Sequence, residues 1–385
     1  MANAFLKPNV IVNTILGQLQ DELVLPNFIW KDGLGDFSGK YNDTVTIRIP
    51  HPTVAHTRQL RAVGPARNMT ASDLTETAVD VRLTDVVYNL INLTDEEREL
   101  DVRSFGVDVL PRQVRAVSEQ IEYGVGFTIE QAPYQNVNLI AADQVWNGVI
   151  AARRFLNDQK VPREGRVLLV GHAIEEVLLL DDRFTRYDSA GQDGANRLIE
   201  ARIGRLAGYD VVVVDTIPHG AAFLFHPTAF CMVSRAPGAP FSNAVATAAT
   251  MSQNGVALRW LGDYDSTATT DRSLVDTWLG YKAISDPIPG FVRAARIQLQ
   301  ATAADLTGPA SITHATTAQL ALIDNNGDDR AIDPTVTWSS ATTGVATVAA
   351  GVVTGVSAGT SVITATVDGG VSAGGSSATF TATIV

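Results

Sequence analysis

Cysteine occurs once in these 385 residues, at Cys231, so no disulfide can close within the chain. It lies in the apolar run Ala229-Phe230-Cys231-Met232-Val233, where a buried thiol acts as a small hydrophobe. Long apolar runs are missing too: the strongest, residues 211–214, has the length of a strand and not of a membrane span. The opening Met1-Ala2-Asn3-Ala4-Phe5-Leu6-Lys7-Pro8 has neither a basic n-region nor an apolar h-region, so folding in a cytoplasm, with no membrane partner, is expected. Lysine is absent from residues 41–159 and again from 297 onward. Basic residues number 29 against 41 acidic ones, a net charge of -12, which argues against a chain built to grip nucleic acid.

The signatures of chemistry are missing as well. The histidines, His51, His56, His172, His219, His226 and His314, form no ligand pair at helical spacing, and one cysteine cannot build a zinc cluster. No serine sits in a nucleophile elbow. Residues 32–41 contain Gly33, Gly35, Gly39 and Lys40, but the spacing fails, with Leu34 between the glycines and Tyr41 in place of the Ser or Thr that would hold magnesium in a phosphate loop. Gly204 and Gly208 precede a strand and do not follow one, so they read as a helix C-cap and a tight turn. Asp324-Asn325-Asn326-Gly327-Asp328-Asp329 has its glycine misplaced for a calcium loop and no closing glutamate; a turn between strands is expected. No catalytic, cofactor-binding or metal residue is therefore expected, and the chain does not read as an enzyme.

What is present is globular: 45% hydrophobic and 18% charged residues, long enough for two or three domains. Residues 1–40 read as an irregular arm, with a short helix within 10–25 and breaks at Pro26 and the three glycines. Strand patterns at 45–49 and 78–87 flank a polar stretch containing Gly64-Pro65. They predict a projecting hairpin over 41–92 that cannot bury much of itself and needs a partner to lie on. Thr94-Asp95-Glu96-Glu97 is a capping box. Leu110, Val114, Val117, Ile121 and Val125 then recur at helical spacing, with Pro111 either starting the helix or kinking it. A second helix is expected over 143–159.

Beyond Pro162 the pattern turns α/β, with strands at 166–170, 209–215, 222–225, 229–233, 256–261 and 278–284, and helices at 173–180 and 197–206. Asp286-Pro287-Ile288-Pro289-Gly290 reads as a linker. After it, seven short strands are expected near 297–301, 318–323, 335–339, 345–348, 351–354, 361–367 and 378–384. In the last, Ala378, Phe380, Ala382 and Ile384 face one way and the intervening threonines the other, the pattern of a β-sandwich.

Two resemblances follow. Val336-Thr337-Trp338-Ser339-Ser340, Val345-Ala346-Thr347-Val348, the run 351–360 and Ile363-Thr364-Ala365-Thr366-Val367 together resemble the bacterial Ig-like domain, group 2. That likeness implies a sandwich over 291–385 with Trp338 as its core aromatic. The order of features before it resembles the major capsid proteins of tailed phages, a fold shared with herpesvirus shells. There an arm precedes an extended loop, a spine helix ending Glu119-Gln120-Ile121-Glu122, and the runs 161–170 and 203–214; Leu279-Gly280-Tyr281-Lys282 resembles the return to the peripheral domain. The implied architecture is α+β: arm 1–40, extended loop 41–92, spine helix and peripheral domain 93–142, axial domain 143–277, return and linker 278–290, and the Ig-like domain.

The implied function is a shell subunit assembling into hexamers and pentamers of an icosahedral head around double-stranded DNA, made in the host cytoplasm and located in the virion. Scaffolding, portal and decoration proteins are its implied partners, with the Ig-like domain outside and host-surface glycans as that domain's expected ligands. No charged prodomain precedes the arm, so scaffolding is expected from a separate protein or a removed leader. Two other readings of the residues stay open: a cellular nanocompartment shell, and a surface adhesin using the Ig-like module as a spacer.

Charge suggests how subunits meet. Residues 44–72 hold Arg48, Arg58, Arg61 and Arg67 and no acid, whereas Asp95, Glu96, Glu97, Glu99 and Asp101 follow closely with only Arg98 among them. Under the shell reading, one subunit's basic loop lies on its neighbour's acidic segment; two solvated patches, or nucleic acid on the loop, are the alternatives. The Pro/Gly linker further predicts that a chain ended after Gly290 keeps its shell-forming part.

Overall fold

The computed structural model describes residues 23–31, 44–50, 53, 55–61, 63–69, 71–74, 76–97, 109–181, 204–238, 247–253, 256–286, 290–368 and 375–385. The chain divides into two compact units, Met1–Val125 with Thr228–Val292, and Gly126–Pro227 with Arg293–Val385. Most of the arm, residues 1–22 and 32–43, and the linker prolines 287 and 289 lie outside the described residues.

In the first unit, strands β1 (Thr44–Pro50) and β2 (Glu76–Arg82) pair antiparallel, Ile47 opposite Val79. Their alternate residues Val45, Ile47 and Val81 are buried with Val233, Ile284 and the thiol-bearing Cys231. The base of the hairpin is thus core, and only the connection beyond it projects. The stretch 78–87, which reads as one strand, is two. The chain breaks at Leu83-Thr84, where the Thr84 N–H donates to Leu279 O, and β3 (Asp85–Thr94) leaves for another sheet. That sheet runs β10 (Thr247–Gln253), β11 (Val256–Asp265), β12 (Thr270–Ala283), β3, with β9 (Phe230–Arg235) also on β12. Residues 228–277, placed by sequence with 143–227, therefore belong to the sheet of the strand that follows the loop, joined to it through β12. Two short strands, β13 (Ser285–Asp286) and β14 (Phe291–Val292), close this unit.

Helix α1 (Leu110–Glu130) begins with Pro111 in its first turn, where a missing N–H costs nothing. All five periodic positions are buried, Leu110, Val114, Val117, Ile121 and Val125, none above 2% exposed. A polar key sits among them. Gln113 donates to Ser273 O at 3.0 Å and accepts from Ser273 Oγ, which also accepts from the Trp260 indole. Glu122 takes the Leu25 N–H of the described arm residues, and burial still pushes its carboxyl above the ordinary value.

The second unit holds a six-stranded sheet ordered β4 (Val137–Ile140), β15 (Ala294–Leu299), β8 (Ala221–Phe225), β5 (Val167–Val170), β7 (Tyr209–Val213) and β6 (Arg205–Leu206), with helices α2 (Val145–Asp158) and α3 (His172–Leu180). Arg166, 2% exposed, fastens the end of α2 by donating to Asn157, Val161 O and Pro162 O while lying over the Tyr209 ring. Of the helix expected over 197–206, residues 197–203 lie outside the described set. Arg205 and Leu206 are strand, joined to β7 by Ala207-Gly208 with φ of 48° and 84°. Two positive φ values in a row make a primed hairpin turn, which needs glycine where a helix cap would also have taken it.

The stretch expected as the sandwich's first strand, 297–301, belongs to this sheet. As β15 it lies between β4 and β8, parallel to one and antiparallel to the other. Its composition resembles the tail because a strand buried on both faces is as apolar as a sandwich strand. The all-β region starts instead at β16 (Ala304–Thr307), which the sequence did not reveal. The expected strand 318–323 is split at Leu320 into β17 (Thr317–Gln319) and β18 (Ala321–Asp324), which pair with different strands. There follow β19 (Thr337–Ser340), β20 (Ala346–Ala349), β21 (Val352–Gly355), β22 (Gly359–Val367) and β23 (Ser376–Ile384). Sheets β17-β21-β20 and β19-β22-β23 enclose Leu306, Leu322, Ala346, Val353, Ile363, Ala365 and Ile384.

A buried polar joint ties this region to β15. Arg296, projecting from β15, donates to Asp333 and to Gln298. Arg330 donates to Asp333 at 2.7 Å, Asp324 at 3.3 Å and Asp368 at 3.0 Å. Asp368 in turn takes the Ala301 N–H, and Asp328 takes those of His219 and Gly220. A methyl group on Gly220 would lie 2.8 Å from the Asn326 amide, so Asn326 would have to shift to admit it. Burial opposes ionisation of Asp333, yet the two guanidiniums hold its carboxyl below the ordinary value.

Candidate assembly surface

The connection between β1 and β2 buries almost nothing. Every residue in 53–74 whose burial is described is exposed, including large apolar ones: Leu60 at 93%, Val63 at 84%, Met69 at 81% and Leu74 at 87%. A scatter of exposed leucines is ordinary, but four such side chains on one coreless segment are not. The sequence showed these residues as part of a polar stretch, and their significance appears only once the fold leaves them uncovered.

Arg48, Arg58, Arg61 and Arg67 are all exposed. Arg58 donates to the Arg67 backbone O at 3.2 Å, so the Arg58 guanidinium is held against the loop's own backbone. On the acidic side, Glu99 and Asp101 lie outside the described residues. Asp95 is half-buried and accepts from the Tyr264 hydroxyl at 2.9 Å. Glu96 is exposed. Glu97 completes the capping box: the Thr94 N–H donates to its carboxylate at 2.9 Å and Glu97 N–H donates back to Thr94 Oγ1. The Thr94 backbone N–H holds the Glu97 carboxyl below its ordinary value. Glu97 is therefore a cap first, and Glu96 is the exposed acid next to it.

A second apolar feature adjoins it in sequence. Along β3, Val86, Tyr88 and Leu90 are exposed at 56%, 66% and 49%, alternating with the buried or half-buried Val87, Asn89 and Ile91. Among the described strands β3 pairs with β12 only, and this stripe lies on its exposed face, where an apolar partner could cover it.

Other expected sites resolve differently. Trp338 is half-buried at the margin of the all-β core, packed against it and not at its centre; Ile363 and Ala365 of the paired strand β22 are fully buried. Replacing Ile363 by Ala is expected to cost about 2–5 kcal/mol in thermal unfolding, and Trp338→Ala less, because part of its ring already meets water. In the stretch 324–329 the Asp324 carboxylate accepts from Asn326 N, Asp328 N and Arg330, and Asp329 from Leu322 N and Ala331 N. These carboxylates serve N–H donors and converge on no shared point. His172 and His219, far apart in sequence, meet edge to face at 5.6 Å, with His172 also 2.9 Å from Asp215. Among the described residues no group of three or more potential ligands could hold a metal ion, and no helix is long and apolar enough to cross a membrane.

No family profile matches the chain, and no curated protein sequence matches it. Solved structures do. One from Mycobacterium phage Che8 is 18% identical with a TM-score of 0.51, covering 71% of this chain and 90% of that one. The capsid structure of the cyanophage P-SCSP1u is 9% identical with a TM-score of 0.53, covering 78% of this chain and 90% of its counterpart. The fold is thus the α+β capsid fold of tailed phages.

Proposed function

We propose that this chain is a structural shell subunit, the major capsid protein of a tailed phage, which self-assembles into hexamers and pentamers around packaged DNA. The observation that carries the reading is the coreless loop 53–74 with its four exposed apolar side chains. Leaving them in water forfeits about 25 cal/mol for each Å² that a partner could cover. A second copy of the chain offers a matching surface in the Val86, Tyr88 and Leu90 stripe, with Glu96 beside it to receive Arg58 or Arg61. Exposed ion pairs contribute only about 0–1 kcal/mol each, so the apolar contacts carry the affinity and the charges set the register. The all-β region is then the Ig-like domain, displayed outside. The outer face of β19, β22 and β23 presents Thr337, Ser339, Thr364, Thr366, Thr379 and Thr381 and no charge, a chemistry compatible with neutral glycans.

The test is particle formation by the expressed chain, read by negative-stain microscopy and sedimentation. Megadalton particles support the proposal, and a monodisperse monomer under all assembly conditions sinks it. Within a positive result, Leu60→Asp with Met69→Asp is expected to abolish particles while leaving the subunit folded. Reversing Arg58 and Arg61 to Glu is expected to reduce yield, with Glu96→Arg partly restoring it. High salt should mimic the reversal, since charges beyond about 8 Å are already screened at physiological ionic strength. Normal yield from the apolar double variant would remove the loop from the interface.

Some capsids of this fold weld subunits through a loop lysine, and this loop has none. Particles are accordingly expected to dissolve to monomers on denaturing gels, and a ladder of covalent oligomers would contradict that.

A further inference from the structure

The run Leu279-Gly280-Tyr281-Lys282 lies where β12 meets β2 on one side and α1 on the other. Side chains alternate along a strand, and the two faces of β12 serve different neighbours here. On one face Leu279 is fully buried, and the Tyr281 ring packs on α1 at Gly124, where a methyl group would lie 2.7 Å from the ring and hydroxyl. On the other face β2 passes directly over Gly280. A methyl group there would run into Arg82 O, with Arg82 C at 2.8 Å and Leu83 N at 3.2 Å, all of them backbone atoms that cannot swing aside. Gly280 is ordinary strand, so the demand for glycine is one of space. Two hydrogen bonds flank this notch. Just past the break between β2 and β3 the Thr84 N–H donates to Leu279 O at 2.9 Å, and Lys282, on the same face as Gly280, donates from Nζ to Asp80 O at 2.6 Å.

We propose that Gly280 is the positioning residue of the projecting loop: the stem formed by β1 and β2 settles into its notch, Lys282 straps the stem down beyond it, and together they fix the direction in which residues 53–74 leave the unit. The loop is coreless and cannot orient itself, so its direction has to come from its base. Residues 80–84 touch Leu279, Gly280 and Lys282 of one strand through backbone atoms of their own, while Val45, Ile47 and Val81 anchor the stem against Cys231, Val233 and Ile284. A side chain at 280 would lift Arg82 off β12 and tilt the whole stem, and the far end of the loop would swing furthest. The bearing on assembly rests on the shell reading, in which this angle decides whether Leu60, Val63, Met69 and Leu74 reach a neighbour's β3 stripe. The seat itself does not depend on that reading.

The experiment places spin labels on the full chain at Ala78→Cys in β2 and Ala268→Cys in the turn between β11 and β12, both exposed positions. Cys231, 1% exposed, is shielded from the label. Pulsed electron paramagnetic resonance then reads the distance from stem to sheet, with labelled chain diluted into unlabelled chain. The parent is expected to give one narrow distance, Gly280→Ala a displaced one, and Lys282→Met a broadened one at an unchanged melting temperature. A merely structural role for Gly280 would lower the melting temperature and leave the distance of the folded molecules where it was. A broad distribution in the parent, or a folded Gly280→Ala chain with the parent's distance, would overturn the proposal; the parent and Lys282→Met decide it if Gly280→Ala does not fold. Particle yield is the second reading. A displaced stem with fewer or misshapen particles supports the link to assembly, whereas a displaced stem with normal particles would remove the loop from the interface and leave the seat established.

Discussion

A chain ended after Gly290 is expected to neither fold its six-stranded sheet nor form particles. The cut removes β15, an interior strand whose Ala294, Ala295, Ile297 and Leu299 are almost fully buried, and separates β4 from β8. Losing the Ile297 and Leu299 side chains alone costs about 2–5 kcal/mol each, before any ladder hydrogen bonds are counted. A domain has only about 5–15 kcal/mol to lose. A chain ended after Ala301 keeps the strand and isolates the second question. It leaves Arg296 buried without Asp333, an uncompensated charge worth about 3–5 kcal/mol of destabilisation. Adding Arg296→Met to that shorter chain should recover most of the loss. Circular dichroism, proteolysis and sedimentation on the three chains decide the matter, and particles from the Gly290 chain would refute the placement of β15.

Replacing Arg330 by Met is expected to have the largest effect of any single substitution in the all-β region. The side chain is 1% exposed and pairs with Asp324, Asp333 and Asp368. Without it three buried carboxylates face one another with Arg296 as the remaining guanidinium, at a cost of about 3–5 kcal/mol. The variant carries its own diagnostic in pH. Carboxylates deprived of their cation bind protons more tightly in the folded chain than in the unfolded one, so the variant should gain stability relative to wild type as pH falls. In wild type the opposite holds for Asp333. Its carboxyl lies below the ordinary value, so its contribution is present above the ordinary range and is lost as pH falls through the folded value. Asp324→Asn with Asp368→Asn in the Arg330→Met background should partly restore the melting temperature. A variant that melts with wild type at every pH would mean that the joint does not hold the region.

Local pattern determined much of this protein. The periodicity of Leu110, Val114, Val117, Ile121 and Val125 placed one face of α1 in a core, because 3.6-residue spacing leaves them no other common side. The Thr94 and Glu97 box formed as written, since its two hydrogen bonds span only three residues. The alternation in β23 put Ala378, Ala382 and Ile384 inward and the threonines outward, and the order of elements pointed to the capsid fold. What sequence could not decide was partnership at long range. The run 294–299 has the chemistry of a buried strand, and only tertiary pairing gives it to β4 and β8 instead of to the strands that follow it. The segment 78–87 looks continuous because β2 and β3 are equally apolar in alternation; the break is set by where their partners lie. Arg330 is the one basic residue after residue 297 and stands among aspartates, a signal of a buried hub that is legible in retrospect. Arg296 gave none, since its pairing with Asp333 spans 37 residues. That the loop could not bury itself was legible in the sequence; that Leu60, Val63, Met69 and Leu74 are the large apolar side chains it leaves outside was not. Hydrophobic spacing specifies which residues share a face, but burial of that face depends on what else the chain brings to cover it.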